Sequence, residues 1–175
     1  MGVHDHEAKT AAIGPLTAGL ITVSDTRTPA TDASGDRIAA RLEAAGHLVG
    51  VRALVPDTPS EIRGAILAAA AANDAVDVIV LTGGTGATRR DTTVDTLRAL
   101  PGIELEGFGE LFRMQSFASI GAPAMLSRAC AIVFEPAPDR RIPIFALPGS
   151  IDAVETAMAE LIEPVLAHLV WQCRR

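Results

Sequence analysis

Asp77-Val78-Ile79-Val80-Leu81-Thr82-Gly83-Gly84-Thr85-Gly86 decides the reading of this chain. Its unbroken aliphatic run, with no polar alternation, predicts a strand buried on both faces, as in a parallel sheet. The run passes straight into a loop with glycine at 83, 84 and 86. Glycine lets the backbone approach a ligand with its N–H groups exposed, which is how peptide nests hold phosphate oxygens. Thr82 and Thr85 add hydroxyls. The loop is neither GxxxxGK[ST] nor GxGxxG. From the residues alone, a tight turn leaving a strand accounts for it equally well.

Working outward, the same alternation of element types recurs. Gly19 to Ser24 reads as a buried strand ending in Ser24-Asp25-Thr26. Ser34 and Asp36 open a helix carrying Ile38, Leu42 and Ala45 at helical spacing, and Gly46 is its stop. His47 to Val55 is a second strand closed by Pro56-Asp57, and Ser60 starts a helix with Ile62, Ile66 and Ala70 on one face. Downstream, 92–100 and 107–118 read as helices, and 123–128 as a further helical turn. Strands at 129–134 and 142–147 are joined by a Pro-rich turn, forming a hairpin that adds an antiparallel edge. The last helix begins at Ser150, a side-chain cap, and Pro164 kinks or splits it. Strands alternating with helices imply a three-layer α/β/α sandwich with a mainly parallel sheet. Residues 1–17 read as a flexible tail, and 18–172 as a single domain.

Composition narrows the function classes. The chain has 175 residues, 49% hydrophobic and 21% charged, with aromatics at only 3%. That argues against disorder and against platforms that stack bases on aromatic rings. A formal charge of −6 repels nucleic acid and anionic membranes, so an anionic ligand must be held by a local site. The two cysteines, Cys130 and Cys173, indicate neither a zinc site nor a disulfide framework. Cys130, in an apolar run, reads as a buried small hydrophobe. No apolar run reaches membrane-span length, and a cytoplasmic protein is expected, with no membrane or nucleic-acid partner. His4 and His6 could bind a metal, but two histidines in a flexible tail read as incidental.

In open α/β sheets, ligands lie beyond the carboxyl ends of the strands. Ser24-Asp25-Thr26, Pro56-Asp57, Thr82 to Asp91 and Pro148-Gly149-Ser150 all fall there. Arg89 and Arg90 suit phosphate oxygens, although a solvated charged loop reads the same way. Asp57 and Asp91 leave different strand ends and are hard oxygen donors of the kind Mg²⁺ prefers. A turn residue and a helix cap are their structural alternatives. Ser127 and Arg128 sit at a pocket edge or at a capped helix end. His47 and His168 read as structural, and no Ser-His-Asp arrangement can be assembled.

Val80 to Gly86 followed by Arg90-Asp91 resembles the signature of the molybdopterin-binding family. The resemblance continues through Gly107-Phe108-Gly109-Glu110-Leu111-Phe112-Arg113, Ala124-Met125-Leu126-Ser127-Arg128-Ala129 and Leu147-Pro148-Gly149-Ser150. It covers residues 19–170 and is closest to the MoaB branch, similar to MogA. It implies transfer of AMP from ATP to molybdopterin, with Mg²⁺ required and pyrophosphate released. Homotrimers or homohexamers and hand-over to a molybdate-inserting protein are also implied. The family's two acids fall on Asp57 and Asp91, the implied catalytic and metal-binding pair. Thr82, Gly83, Gly84, Thr85, Gly86, Arg90, Ser127, Pro148, Gly149 and Ser150 would bind the substrate phosphates. Ser24, Asp25, Thr26, Ser34 and Gly35 would hold the nucleotide. The family's proline after the Arg-Asp pair is missing here, where Asp91-Thr92-Thr93-Val94-Asp95 stands, and a shifted helix start is expected. A non-catalytic molybdopterin carrier is the alternative, against which the intact acids count.

Overall fold

In the computed structural model, which describes residues 13–72 and 76–175, the decisive run is a strand with every residue buried. The strands are β1 (Thr17–Val23), β2 (Leu48–Val55), β3 (Val78–Thr82), β4 (Gly102–Glu104), β5 (Cys130–Ala137) and β6 (Arg140–Leu147). The helices are α1 (Ala33–Ala44), α2 (Pro59–Ala71), α3 (Thr93–Arg98), α4 (Glu106–Ile120), α5 (Ile151–Ala157) and α6 (Leu166–Cys173). They build one six-stranded sheet in the order β2-β1-β3-β6-β5-β4. The four strands β2, β1, β3 and β6 are parallel, and β5 and β4 continue the sheet antiparallel.

The hairpin of β5 and β6 is present, but it does not form the edge. β6 lies inside the sheet against β3, and the edge is β4, a three-residue strand the sequence pattern did not announce. The reason is burial: Ile142, Ile144, Phe145, Ala146 and Leu147 of β6 are all within 2% of full burial. A strand apolar on both faces needs neighbours and cover on both.

Side-chain alternation on β3 divides the interior. Val78 and Val80 face a cluster built with Ile38 and Leu42 of α1, Phe108 and Phe112 of α4, and Val154 and Val170 of α5 and α6. Ile79 and Leu81 face the opposite cluster, with Ile62 and Ile66 of α2 and Val94 and Leu97 of α3. Burying each such side chain contributes about 1.5–3 kcal/mol, so helices on both faces of the sheet are the stable outcome. Arg41 adds a clamp on one side, pairing with Glu155 at 2.8 Å and with Glu163 at 2.6 Å.

Local chemistry sets the element ends. Asp32 caps α1 by accepting from the Gly35 amide at 3.0 Å. Gly46, with φ +83, follows its end. Ser150 caps α5 through Ala153 N–H. Pro164 splits the last helix, and a π-helical turn at Met158–Ile162 precedes the break. α3 begins at Thr93, without the family proline. Of the expected tail, residues 1–12 lie outside the described residues. Leu16 is fully buried and Thr17 already belongs to β1, so the fold starts before Gly19. Among the described residues, no helix is long and apolar enough to cross a membrane.

Candidate functional site

The sheet order creates the site. From β1 the chain steps to β2 on one side and then to β3 on the other, so the loops after β1 and β3 part above the sheet. Such a switch point is where open α/β sheets hold ligands. The glycine loop after β3 fills it. Gly83 and Gly84 have φ of +102 and +64. A Cβ on Gly83 would lie 2.1 Å from the Val23 carbonyl oxygen at the end of β1. Only glycine permits that approach.

All four sequence-predicted clusters meet here. Ser24 N–H donates to Val55 O at 2.9 Å, joining the ends of β1 and β2. Asp57 N–H donates to Asp25 Oδ1 at 3.0 Å. Gly83 N–H donates to Leu147 O at 2.9 Å, and the Thr82 hydroxyl to Pro148 O at 3.0 Å. A Cβ on Gly149 would stand 3.6 Å from Gly83 Cα.

The two acids meet at the same loop. Asp57 Oδ1 accepts from the Thr92 amide at 3.0 Å and from its hydroxyl at 2.8 Å. Its Oδ2 has no hydrogen-bond partner among the described residues, and it lies 2.5 Å from where a Gly84 Cβ would be. Asp91, the residue before Thr92, accepts at Oδ2 from the Thr88 amide at 2.8 Å and the Thr88 hydroxyl at 2.6 Å. It lies 2.8 Å from the Cβ position of Gly86. Desolvation pushes the Asp91 carboxyl up, but the Thr88 and Gly86 hydrogen bonds and the Arg128 charge outweigh it, leaving it below the usual aspartate range. Thr93 closes the loop from the α3 side, with its amide on Gly84 O at 3.1 Å and its hydroxyl on Gly83 O at 2.9 Å.

Other expected residues have internal duties. Ser24 Oγ accepts from the amides of Thr26 and Arg27, forming a turn. Ser34 is buried and donates to Gly149 O at 3.1 Å. Gly35 backs onto Asp32, where a Cβ would come within 2.1 Å of the carboxylate. Ser127 Oγ accepts from Ala129 N–H at 3.3 Å. Arg89 and Arg90 are exposed, without hydrogen-bond or ion-pair partners among the described residues. Cys130 is buried, and desolvation raises its pKa to about 11. His47 Nδ1 accepts from Leu16 N–H at 3.2 Å, a structural contact.

Further residues converge here. Arg27 donates to Gly149 O at 2.6 Å, contacts the Ser34 hydroxyl, and pairs with Asp32 at 3.6 Å. It thus brings a cation beside the glycine loop. Thr92, Thr93 and Arg128 support the loop from below. Arg128, read in sequence as a pocket edge or a capped helix end, stands at the loop; the visible signal of Arg27, Thr92 and Thr93 was proximity to the motifs already singled out.

The probable molybdopterin binding domain model matches residues 19–168. The chain belongs to this molybdopterin-binding family. Molybdenum cofactor biosynthesis protein B of Bacillus cereus is 42% identical over 100% of this chain and 99% of that protein. The protein of the same name from Escherichia coli K12 is 40% identical over 87% of this chain and 86% of that one. Among solved structures, a molybdenum cofactor biosynthesis protein B superimposes with a TM-score of 0.85 at 41% identity, covering 94% and 99% of the two chains. The tungsten cofactor synthesizing protein MoaB from Pyrococcus furiosus gives 0.81 at 35%, covering 94% and 100%. The family's matched segment spans β1 to α6, so every loop at the site lies within it.

Proposed function

We propose that this member of the molybdopterin-binding family acts in molybdenum cofactor biosynthesis by transferring AMP from ATP to the terminal phosphate of molybdopterin, releasing pyrophosphate. A terminal phosphate oxygen attacks the α-phosphorus, and the bond from that phosphorus to the bridging oxygen of pyrophosphate breaks. The observation that carries the reading is the pairing of Asp57 and Asp91 with one glycine loop at the sheet's switch point.

The donor set suits Mg²⁺. Asp57 and Asp91 are hard oxygen ligands, and Asp57 keeps Oδ2 clear of other hydrogen bonds. No group of three or more His, Cys, Asp or Glu side chains stands ready for a metal among the described residues. Mg²⁺ is commonly bound by one or two carboxylates, with substrate phosphates and water completing the shell. When bound, it supplies neutralisation of phosphate charge.

The chain's own residues do the rest. Gly83 N–H is engaged with Leu147 O and Gly86 N–H with Asp91, so the amides of Gly84 and Thr85 are the loop's donors for phosphate oxygens, and rate enhancement comes from positioning and fixed dipoles. Arg89 and Arg90, not engaged elsewhere, are available to the transferring group, and Arg27 stands at the Gly149 side. An ionised phosphate nucleophile needs no strong general base, which fits a site with no histidine among its named contacts. Self-association into a trimer or hexamer belongs to the same reading. It is supported by exposed Leu111, Met114, Phe117, Ile120, Met125 and Leu126 on α4 and the turn after it. The test is pyrophosphate release with ATP and molybdopterin, with and without Mg²⁺. Release that needs all three is expected; molybdopterin binding without ATP turnover would favour the carrier alternative.

A further inference from the structure

The side chain of Arg128 joins three points of chain that belong to the site. Its Nε donates to Gly86 O at 2.8 Å, and Nη2 donates to Asp91 O at 2.7 Å. Nη1 reaches both Asp95 carboxylate oxygens, at 3.1 and 3.0 Å. Its backbone N–H donates to Thr85 O at 3.0 Å. Gly86 and Asp91 bound the exposed bend of residues 87–90, so one guanidinium spans both ends of that bend and ties it to α3.

We propose that Arg128 is a positioning residue for adenylyl transfer, a clamp that holds the 86–91 loop closed and so aims the Asp91 carboxylate. The proposal rests on the function set out above. Asp91 receives its orienting bonds from Thr88, inside the clamped segment. If the loop opens, Thr88 and Asp91 move together away from Gly84 and Asp57, and the two acids no longer share a site. An arginine suits the task because its planar fork presents five donors in fixed directions. The acceptors are two carbonyls and a carboxylate, which a lysine, as a single point charge, cannot bridge together. Arg128 also lies partly open to solvent, at 31% side-chain exposure. The clamp is thus not a core brace.

The test uses the full chain carrying Arg128→Met, which keeps most of the stem, and Arg128→Lys. The first readout needs no substrate: tryptic cleavage after Arg89 and Arg90, followed by mass spectrometry beside the thermal midpoint. Arg128→Met should raise cleavage at those bonds at least tenfold while cleavage elsewhere and the midpoint change little. Arg128→Lys should fall between it and wild type. The second readout is kinetic: kcat for pyrophosphate release should fall at least tenfold, a larger factor than the loss of molybdopterin affinity. Unchanged cleavage after Arg89 and Arg90, or a rise matched by equal opening throughout the chain, would overturn the clamp. If wild type releases no pyrophosphate, the functional reading fails, while the proteolysis result still decides whether the loop is clamped.

Discussion

Replacing Gly84 by alanine tests the close packing on which the site depends. Gly84 has φ +64, and a Cβ there would lie 2.3 Å from Thr93 Oγ1 and 2.5 Å from Asp57 Oδ2. A left-handed non-glycine residue costs about 1–2 kcal/mol, and crowding packed atoms costs about 1–3 kcal/mol more. The sum, about 2–5 kcal/mol, corresponds to a fall in Tm of roughly 4–20 °C for a domain of this size. Asp57 and Thr93 must move to admit the methyl, so AMP transfer should be lost even where the variant is folded. Gly64 is the control: it lies exposed in α2, and its Cβ would meet nothing within 4 Å. The same substitution there should stabilise by about 0.5–1 kcal/mol. Calorimetry of both variants, with pyrophosphate release below their midpoints, is the assay. A Gly84→Ala protein with unchanged Tm and full turnover would refute the argument, as would equal losses at the two positions.

Asp32, buried at 2% exposure, feels desolvation that raises its pKa. Hydrogen bonds from Thr22, Gly35 and Arg52, with the charge of Arg52, outweigh it and hold the carboxyl below the usual range. Its contribution is therefore complete above the unfolded value, about pH 3.9, and is lost as pH falls through the lower folded value. Asp32→Asn should be less stable near neutrality and show a shallower acid slope in denaturant titrations. Arg41→Lys should cost about 1 kcal/mol at low salt, and less at high salt, because lysine cannot reproduce the fork on Glu163; denaturant midpoints across salt concentrations read this. Cys130 is buried with a pKa raised by desolvation to about 11, whereas Cys173 is only half-buried. A thiol reagent at mildly alkaline pH should label Cys173 well before Cys130, as peptide mapping would show.

The parallel strands β1, β2 and β3 were legible because their information is local. Val78 to Leu81 needs apolar cover on both faces wherever it goes, and polar loops follow each parallel strand. β4 was not legible: Gly102–Glu104 is short, and its only recommendation is pairing with β5 across about thirty residues of chain. The rank of the hairpin within the sheet was hidden for the same reason, since alternation shows which faces are buried but not which strand lies beside which. At the site, Asp57 and Asp91 were visible as acids at strand ends. That Asp57 would reach Thr92 is a fact of tertiary structure. The partners of Arg27 and Arg128 were harder still, because Gly149 and Gly86 lie 122 and 42 residues away. A guanidinium seeking carbonyls leaves no periodic mark in sequence.

The most direct test of a shared carboxylate site is a crystal structure of the protein with a non-hydrolysable ATP analogue and Mn²⁺ in place of Mg²⁺, read by anomalous scattering. A manganese peak bonded to carboxylate oxygens of both Asp57 and Asp91 and to the analogue's phosphates, above Gly83 to Gly86, is the expected result. A fully occupied nucleotide whose metal touches neither acid, or whose phosphates lie away from that loop, would contradict it.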